Sequence, residues 1–206
     1  MKAKASGSIE ITPAPVGTHM ARVASLLDMG TQDTKWGDKR QVRVSFELLG
    51  QNKEIEIDGE KKTIPFYVSK TSTLSMNEKA FLRQVTDCTL NTGTLKPEEA
   101  EMVAVEEILG KALLVTVEHY EGSDGNTYAG IKNISSLPTG SGEPAEMEGD
   151  KMYFSFDDSS QEDFDKLPEW LQNKLKETPE YKVFKAVGSV ENAGEDDGIT
   201  PADIPF

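Results

Sequence analysis

The chain has 206 residues and a formal net charge of −14 at pH 7, a length that allows one domain of about 100–150 residues with appendages. No apolar run reaches about 18 residues, which argues against a membrane-spanning helix, and Met1 to Ser8 lacks the apolar core of a signal peptide. The single cysteine, Cys88, excludes a disulfide framework and indicates a reducing compartment.

The negative charge is concentrated in the last third of the chain. Residues 143–206 carry 17 acidic and 6 basic side chains, net −11, which leaves net −3 for residues 1–142. Because phosphate binding depends on local basic groups, the first part can still bind a polyanion.

A hairpin is predicted near the start of the chain. Residues 1–16 are polar and contain two prolines, which predicts a flexible arm. A strand over Thr18–Met29, a polar loop over Gly30–Lys39 and a second strand over Arg40–Leu49 follow. The second strand alternates, with its apolar side made by Val42, Val44, Phe46 and Leu48.

The polar loop of this hairpin holds a tryptophan between cations. Trp36 is flanked by Lys35, Lys39 and Arg40. Bases stack on aromatic rings and cations hold phosphates, so we interpret the loop as a nucleic-acid contact. The alternative is a Trp that packs back on its own hairpin.

The next segment predicts a flexible excursion and a third strand. Gln51–Lys62 is polar and contains the turn signal Asp58-Gly59. The third strand is predicted over Thr63–Leu74, and Pro65 indicates that it lies at a sheet edge or contains a bulge.

Tyr67 of the third strand and Arg43 of the second are both predicted to point away from the apolar side. Together they would form a stacking platform for bases. A surface tyrosine with a hydrated hydroxyl is the alternative.

Two helices are predicted after the third strand. Ser75-Met-Asn-Glu78 reads as a capping box for a helix that runs to about Cys88, and Cys88 is interpreted as a buried, inert thiol. Pro97 is expected to start a second helix over Glu98–Leu109.

Two further strands complete the predicted sheet. They span Lys111–Tyr120 and Thr127–Ser135, joined by a turn, and the second directs Tyr128 and Lys132 outward. Five strands predict a mainly β chain, for which small all-β domains of several kinds are possible. The helical insertion between strands three and four favours an OB-fold barrel over residues 17–137.

The rest of the chain is divided by composition. Residues 138–151 read as a linker and residues 152–184 as an aromatic segment followed by an amphipathic helix. That helix is opened by Pro168, ended by Pro179 and striped by Trp170, Leu171 and Leu175. The stripe is expected to pack on the barrel or on a second copy in a homodimer, with a separate partner as the alternative. Residues 185–206 are expected to be a disordered acidic tail.

The tail has the character of a protein-binding peptide, with acids to attract basic partners and an apolar tip to fill a pocket. The candidate protein-interaction residues are Asp196, Asp197, Asp203, Ile204, Pro205 and Phe206.

The last four residues, Asp-Ile-Pro-Phe, resemble the end of the acidic tails of bacterial single-stranded DNA-binding proteins. The body resembles the phage and prophage members of that class. The similar segments are Gly17–Arg22, Trp36–Arg43, Phe46–Gly50, Ser69–Thr71 and Leu167–Leu171. The resemblance implies a protein of the bacterial cytoplasm that coats single strands during replication or recombination and recruits host or phage proteins through its tail. The acid run here is interrupted by Gly198–Ala202, which departs from the bacterial pattern.

We therefore expect a non-enzymatic single-stranded DNA-binding protein that needs no metal or cofactor. His19 and His119 lie in separate strands and no metal-ligand or phosphate-loop motif is present. The candidate DNA-binding residues are Trp36, Lys35, Lys39, Arg40, Arg43, Tyr67, Lys70, Tyr128 and Lys132, with Arg22 as a further candidate. The alternative function is an OB-fold adaptor or DNA mimic that binds replication or repair proteins without binding DNA.

Overall fold

A computed structural model of the chain describes residues 12–35, 37–57, 60–90 and 95–191. Five long strands form its sheet: β1 (Gly17–Gln32), β2 (Lys39–Ile57), β3 (Glu60–Thr73), β4 (Ala112–Glu121) and β5 (Thr127–Ser135). They are antiparallel and ordered β3-β2-β1-β4-β5. Cα atoms of the outermost strands, β3 and β5, approach to within 8 Å, so the sheet curls into a half-barrel. The predicted mainly β, antiparallel architecture is confirmed.

β1 is the strand shared by both halves of the sheet. Its first part, from Gly17 to Arg22, pairs with β4, and its register with β2 runs from Ala21 to Gln32. Irregularities after Val23 and Asp28 interrupt the register with β2. Such bulges increase the local bend and twist, which lets one strand serve two sides of a curled sheet.

The predicted flexible excursion after the second strand is wrong. β2 continues to Ile57 and β3 already starts at Glu60, so these residues form a hairpin arm, with Asp58-Gly59 outside the described residues. A register shift at Gly50, whose φ is 70°, separates the arm from the rest of the sheet. Backbone hydrogen bonds hold the arm together, so its side chains can be polar and it needs no buried apolar face. Pro65 lies on β3 at the end of the strand order and beside the register shift between Leu48 and Asn52, so the edge or bulge expected there is confirmed.

The inner face of the half-barrel is the main core. The predicted apolar side of β2 is fully buried there. The residues that form this core include Val23, Leu26, Val44, Phe46, Leu48, Val68, Leu82, Val85, Ile108, Leu113 and Val115. Helix α1 (Phe81–Leu90) packs against this core between β3 and β4, as expected. Cys88 on α1 is half-buried and burial raises its pKa, which suits the predicted unreactive thiol.

Two helix boundaries differ from the prediction. α1 begins at Phe81, because the Ser75 hydroxyl accepts the N–H of Asn77 in a turn instead of capping a helix. The second predicted helix is split into α2 (Pro97–Glu101) and a 3₁₀ turn at Val105–Ile108. The extended backbone of Ala104 separates these two pieces.

A second core lies on the other side of β1. A short strand, β6 (Met152–Phe154), pairs in parallel with β1, and three helices follow: α3 (Gln161–Asp165), α4 (Glu169–Leu175) and α5 (Pro179–Glu191). Residues 152–186 are here called the helical module. Its core with β1 consists of Leu27, Met29, Phe154, Phe156, Phe164, Leu167, Leu171 and Leu175. The predicted stripe residues Leu171 and Leu175 therefore pack on the sheet.

Two other details of the predicted C-terminal helix are wrong. Trp170 is exposed and lies outside the apolar stripe, and Pro179 begins α5. The start of α5 is fixed to the end of β1, where the Glu180 carboxylate accepts the N–H of Thr31 at 2.8 Å and its hydroxyl at 2.5 Å. None of the helices in the described ranges is long and apolar enough to cross a membrane.

Candidate nucleic-acid interface

The side of β2 and β3 opposite the main core is the surface on which the predicted residues can be located. The strand register aligns Arg43 with Thr71, Ser45 with Ser69 and Glu47 with Tyr67. These six residues alternate with the buried apolar ones and are here called the outer face. Tyr67 is 43% exposed, as the sequence predicts for a platform residue. Arg43 and Tyr67 thus share one face, about 13 Å apart along the strands.

Arg43 is a half-buried cation with few partners. Its Nη2 donates a hydrogen bond of 2.5 Å to the Ser69 hydroxyl. Burial lowers the pKa of its guanidinium. Among the described residues, no carboxylate oxygen lies within 4.0 Å of this group. A charge that loses water without gaining an anion is unfavourable, so the site favours an external anion.

The other three arginines of the chain are neutralised internally. Arg40 pairs with Asp28 and, at 2.9 Å, with Asp157, and these carboxylates raise its pKa despite partial burial. Arg83 pairs with Asp87 at 2.9 Å. Arg22 donates to the carbonyls of Gly110, Pro144 and Ala145 and pairs with Glu146 at 3.3 Å.

Arg22 and Arg40, both predicted as phosphate contacts, thus have partners within the chain. Arg22 joins the sheet to residues 144–146, and Arg40 joins β2 to β1 and the helical module. Both guanidiniums have structural partners, so the proposed site below leaves them out.

Trp170 is a candidate site residue that the sequence interpretation missed. It lies on α4 with 57% of its surface exposed, and Arg43 Cζ is 5.8 Å from the centroid of its ring. The sequence could have shown that Trp170 lies off the buried side of the helix. Leu167, Leu171 and Leu175 already form a complete i, i+4 stripe without it.

An acidic segment lies across the other end of the outer face. Residues 143–150, here called the acidic strap, carry Glu143, Glu146, Glu148 and Asp150. Glu47, only 1% exposed, accepts the N–H of Glu148 at 2.7 Å, the N–H of Gly149 at 3.0 Å and the Tyr67 hydroxyl at 2.9 Å. The predicted linker thus includes residues bound to the sheet.

The strap and Tyr67 are in close contact. A Cβ atom added to Gly149 would lie 1.8 Å from the Tyr67 hydroxyl oxygen. Burial raises the Tyr67 pKa, and the hydrogen bond to Glu47 and the charges of Glu47, Asp150 and Glu148 raise it further. The Tyr67 hydroxyl therefore stays protonated and donates, while part of the ring surface remains exposed.

Lys70 lies on the opposite side of β3 from Tyr67. Its Nζ is 4.5 Å from the centroid of the Phe81 ring, at a cleft lined by Lys39, Ser72, Thr73, Ser75, Asn77, Ala80 and Phe81. The Ser72 hydroxyl oxygen is buried and has no hydrogen-bond partner within the described part of the chain. Lys70 therefore lies away from the outer face, near the Phe81 ring that also lines the cleft with Lys39.

The β4–β5 hairpin carries a pair of stacked rings. The Tyr120 and Tyr128 ring centroids are 5.9 Å apart at an interplanar angle of 28°, and Tyr120 is 54% exposed. The Tyr128 hydroxyl donates to Asp124 at 2.7 Å, the main reason that the Asp124 pKa is lowered to about 2. Lys132 on the same strand lies 3.5 Å from Glu118. Tyr120 is a second ring that the sequence interpretation did not select.

The remaining predicted residues lie at or beyond the limits of the description. Lys35 is in the loop between β1 and β2, where it forms an isolated bridge with Gly37. Trp36 and the tail residues 196, 197 and 203–206 lie outside the described residues. The predictions for them stay predictions.

No protein-family model and no curated protein sequence matches this chain.

Proposed function

We propose that the chain is a single-stranded DNA-binding protein with an OB-fold, of the kind that phages and prophages use to coat exposed strands. The strand order, the curl of the sheet and the helices between β3 and β4 support the OB assignment. In OB-folds, the face of strands 2 and 3 and the loops between strands 1–2 and 4–5 bind oligonucleotides. The outer face, the loop with Lys35 and the Tyr120–Tyr128 hairpin occupy the equivalent positions.

The observation that carries the proposal is the environment of Arg43. It is the one arginine that lacks a carboxylate partner among the described residues, and it shares the outer face with the exposed ring of Tyr67. A cation and an aromatic ring on one face, about 13 Å apart along the strands, suit a phosphate and a base of the same bound strand. Neither group needs a particular base, so binding without sequence preference is expected.

Further contacts come from the two neighbouring surfaces. Bases would stack on Tyr128 and on the predicted ring of Trp36, each for about 1–3 kcal/mol. Lys35, Lys39, Lys70 and Lys132 would hold phosphates; the exposed pair of Lys132 with Glu118 is weak enough to exchange for one. The protein makes and breaks no bond in this role.

The acidic tail would recruit replication or recombination proteins in the bacterial cytoplasm. Its acids would attract basic partners, and Ile204 and Phe206 would fill an apolar pocket. Deleting residues 186–206 should abolish binding to such a partner and tighten DNA binding at low salt, if the tail also competes for the DNA site. Pull-down of host proteins and oligonucleotide titration of the same variant measure the two effects.

The test of the proposal is a titration of labelled oligo-dT, followed by fluorescence anisotropy, beside a duplex of matched length. We expect tighter binding to the single strand and a steep loss of affinity with salt. Arg43→Met should weaken binding and lower the salt slope by about 0.7, the value for one single-strand phosphate. Lys61→Met, which removes an exposed lysine of the hairpin arm, is the matched control. Equal affinity for duplex and single strand, or no binding, contradicts the proposal.

The acidic strap favours a second candidate function, that of an adaptor or DNA mimic. Its carboxylates lie beside the outer face, where they could present negative charge to a basic replication or repair protein. This function predicts no binding to oligo-dT and capture of a basic partner through the strap.

A further inference from the structure

Trp170 is held in a fixed position although its own ring is exposed. On α4 the next residue, Leu171, and Leu175 one turn later are both fully buried in the second core. The Gln172 amide donates to the Leu167 carbonyl at 2.8 Å and so closes the start of the helix. The helical module therefore buries the smaller leucines and presents its largest apolar side chain to solvent beside the sheet.

The neighbour of this ring is Arg43, which has no carboxylate partner in the described part of the chain. Arg43 Cζ is 5.8 Å from the Trp170 ring centroid, and the Ser69 hydroxyl accepts one guanidinium hydrogen bond. A guanidinium has five N–H donors, so it can bind a phosphate while it stays near the ring. The exposed indole surface next to it suits a flat, uncharged base.

We propose that Trp170 and Arg43 form a nucleotide-binding subsite for single-stranded DNA, in which the indole stacks on a base and Arg43 holds the adjoining phosphate. The inference rests on the proposed function and extends it: the helical module forms part of the DNA-binding surface. The bound DNA strand then crosses from α4 to the outer face, where Tyr67 offers the next exposed ring.

The experiment uses the fact that the chain has two tryptophans. In Trp36→Phe, Trp170 is the single indole, and its emission is recorded during titration with unlabelled oligo-dT. Stacking should quench this emission in step with binding measured by anisotropy. In the wild-type background, Trp170→Leu should weaken binding by roughly 5- to 150-fold, and Trp170→Phe, which keeps a ring, should lose less.

Two further variants test the role of Arg43 and the specificity of the effect. Arg43→Lys keeps the charge but loses the planar donors, so it should fall between wild type and Arg43→Met. Val183→Ala removes an exposed apolar side chain from another helix of the same module and should bind as wild type does. Circular dichroism of each variant verifies that the fold is retained, and Trp170→Phe supplies the answer if Trp170→Leu is unfolded.

The outcomes separate the two proposals. Wild-type binding to oligo-dT with unchanged Trp170 emission and unchanged affinity of the Trp170 variants overturns the subsite and leaves the proposed function standing. Absence of wild-type binding overturns both. Quenching together with loss of affinity in Trp170→Leu, but not in Val183→Ala, supports the subsite.

Discussion

Replacing Gly149 with alanine tests whether the acidic strap is fixed to the sheet through Tyr67 and Glu47. The new Cβ would lie 1.8 Å from the Tyr67 hydroxyl oxygen, and this contact must open to at least 3.0 Å. The strap cannot move that far and keep both backbone hydrogen bonds to Glu47, at 2.7 and 3.0 Å. Hydrogen bonds to a charged group contribute roughly 1.5–3 kcal/mol each, so loss of one of them should lower the free energy of unfolding by about 1.5–3 kcal/mol.

Removal of the Tyr67 hydroxyl should rescue this variant. Tyr67→Phe alone loses one hydrogen bond to Glu47 and should cost roughly 1.5–3 kcal/mol. In Gly149→Ala/Tyr67→Phe the nearest remaining atoms are Glu47 Oε2 at 3.0 Å and the ring Cζ at 3.2 Å, distances that a shift of tenths of an ångström relieves. The double variant should therefore be less destabilised than the sum of the single ones.

Urea denaturation of all four proteins measures the coupling, and amide exchange at Glu148 and Gly149 shows whether the strap has been released. Additive losses, or full protection of both amides in Gly149→Ala, would refute the close contact.

Two other predictions concern charge and pH. Glu148→Gln should tighten oligo-dT binding severalfold at low salt, because it removes a negative charge beside the outer face. Glu101→Gln on α2 is the control, and both variants are measured by anisotropy titration. Equal effects of the two substitutions would exclude a role of the strap. The Asp124 carboxylate should titrate near pH 2 in carboxyl NMR, because the Tyr128 hydroxyl stabilises its charged form. A lowered pKa means that the contact is present above the ordinary aspartate pKa near 4 and is lost as the pH falls towards 2, and Tyr128→Phe should return the titration towards 4.

The sheet was predictable because its signals are local. Alternation of apolar and polar residues located β2, and turn chemistry located β5 with its observed bounds, Thr127–Ser135. Pro65 indicated an edge strand or a bulge, because proline lacks the backbone N–H donor. The hairpin arm was not predicted, because its polar residues carry no apolar pattern and only the pairing of β2 with β3 stabilises it.

The candidate site was less predictable because it depends on contacts between distant residues. Arg43 and Tyr67 follow from strand parity, and Lys70 would have been assigned to the other side by the same rule, since it alternates with Tyr67. No local pattern shows that Arg40 is neutralised by Asp157, more than 100 residues later. Likewise, the approach of Trp170 to Arg43 exists only because the helical module folds back on β1.

The distribution of partners among the arginines connects the fold with the proposed function. Arg22 and Arg40 each join separate segments through a carboxylate, and Arg83 pairs with Asp87 within α1. Such pairs recover the cost of removing a guanidinium from water. Arg43 incurs part of that cost without an anionic partner in the described residues. A substitution that removes this charge should therefore cost the fold little stability while it weakens DNA binding. Loss of Arg83 should instead destabilise the fold, because it would leave the Asp87 carboxylate unpaired. An unchanged affinity for single strands in Arg43→Met, with reduced stability, would instead assign Arg43 to the support of α4.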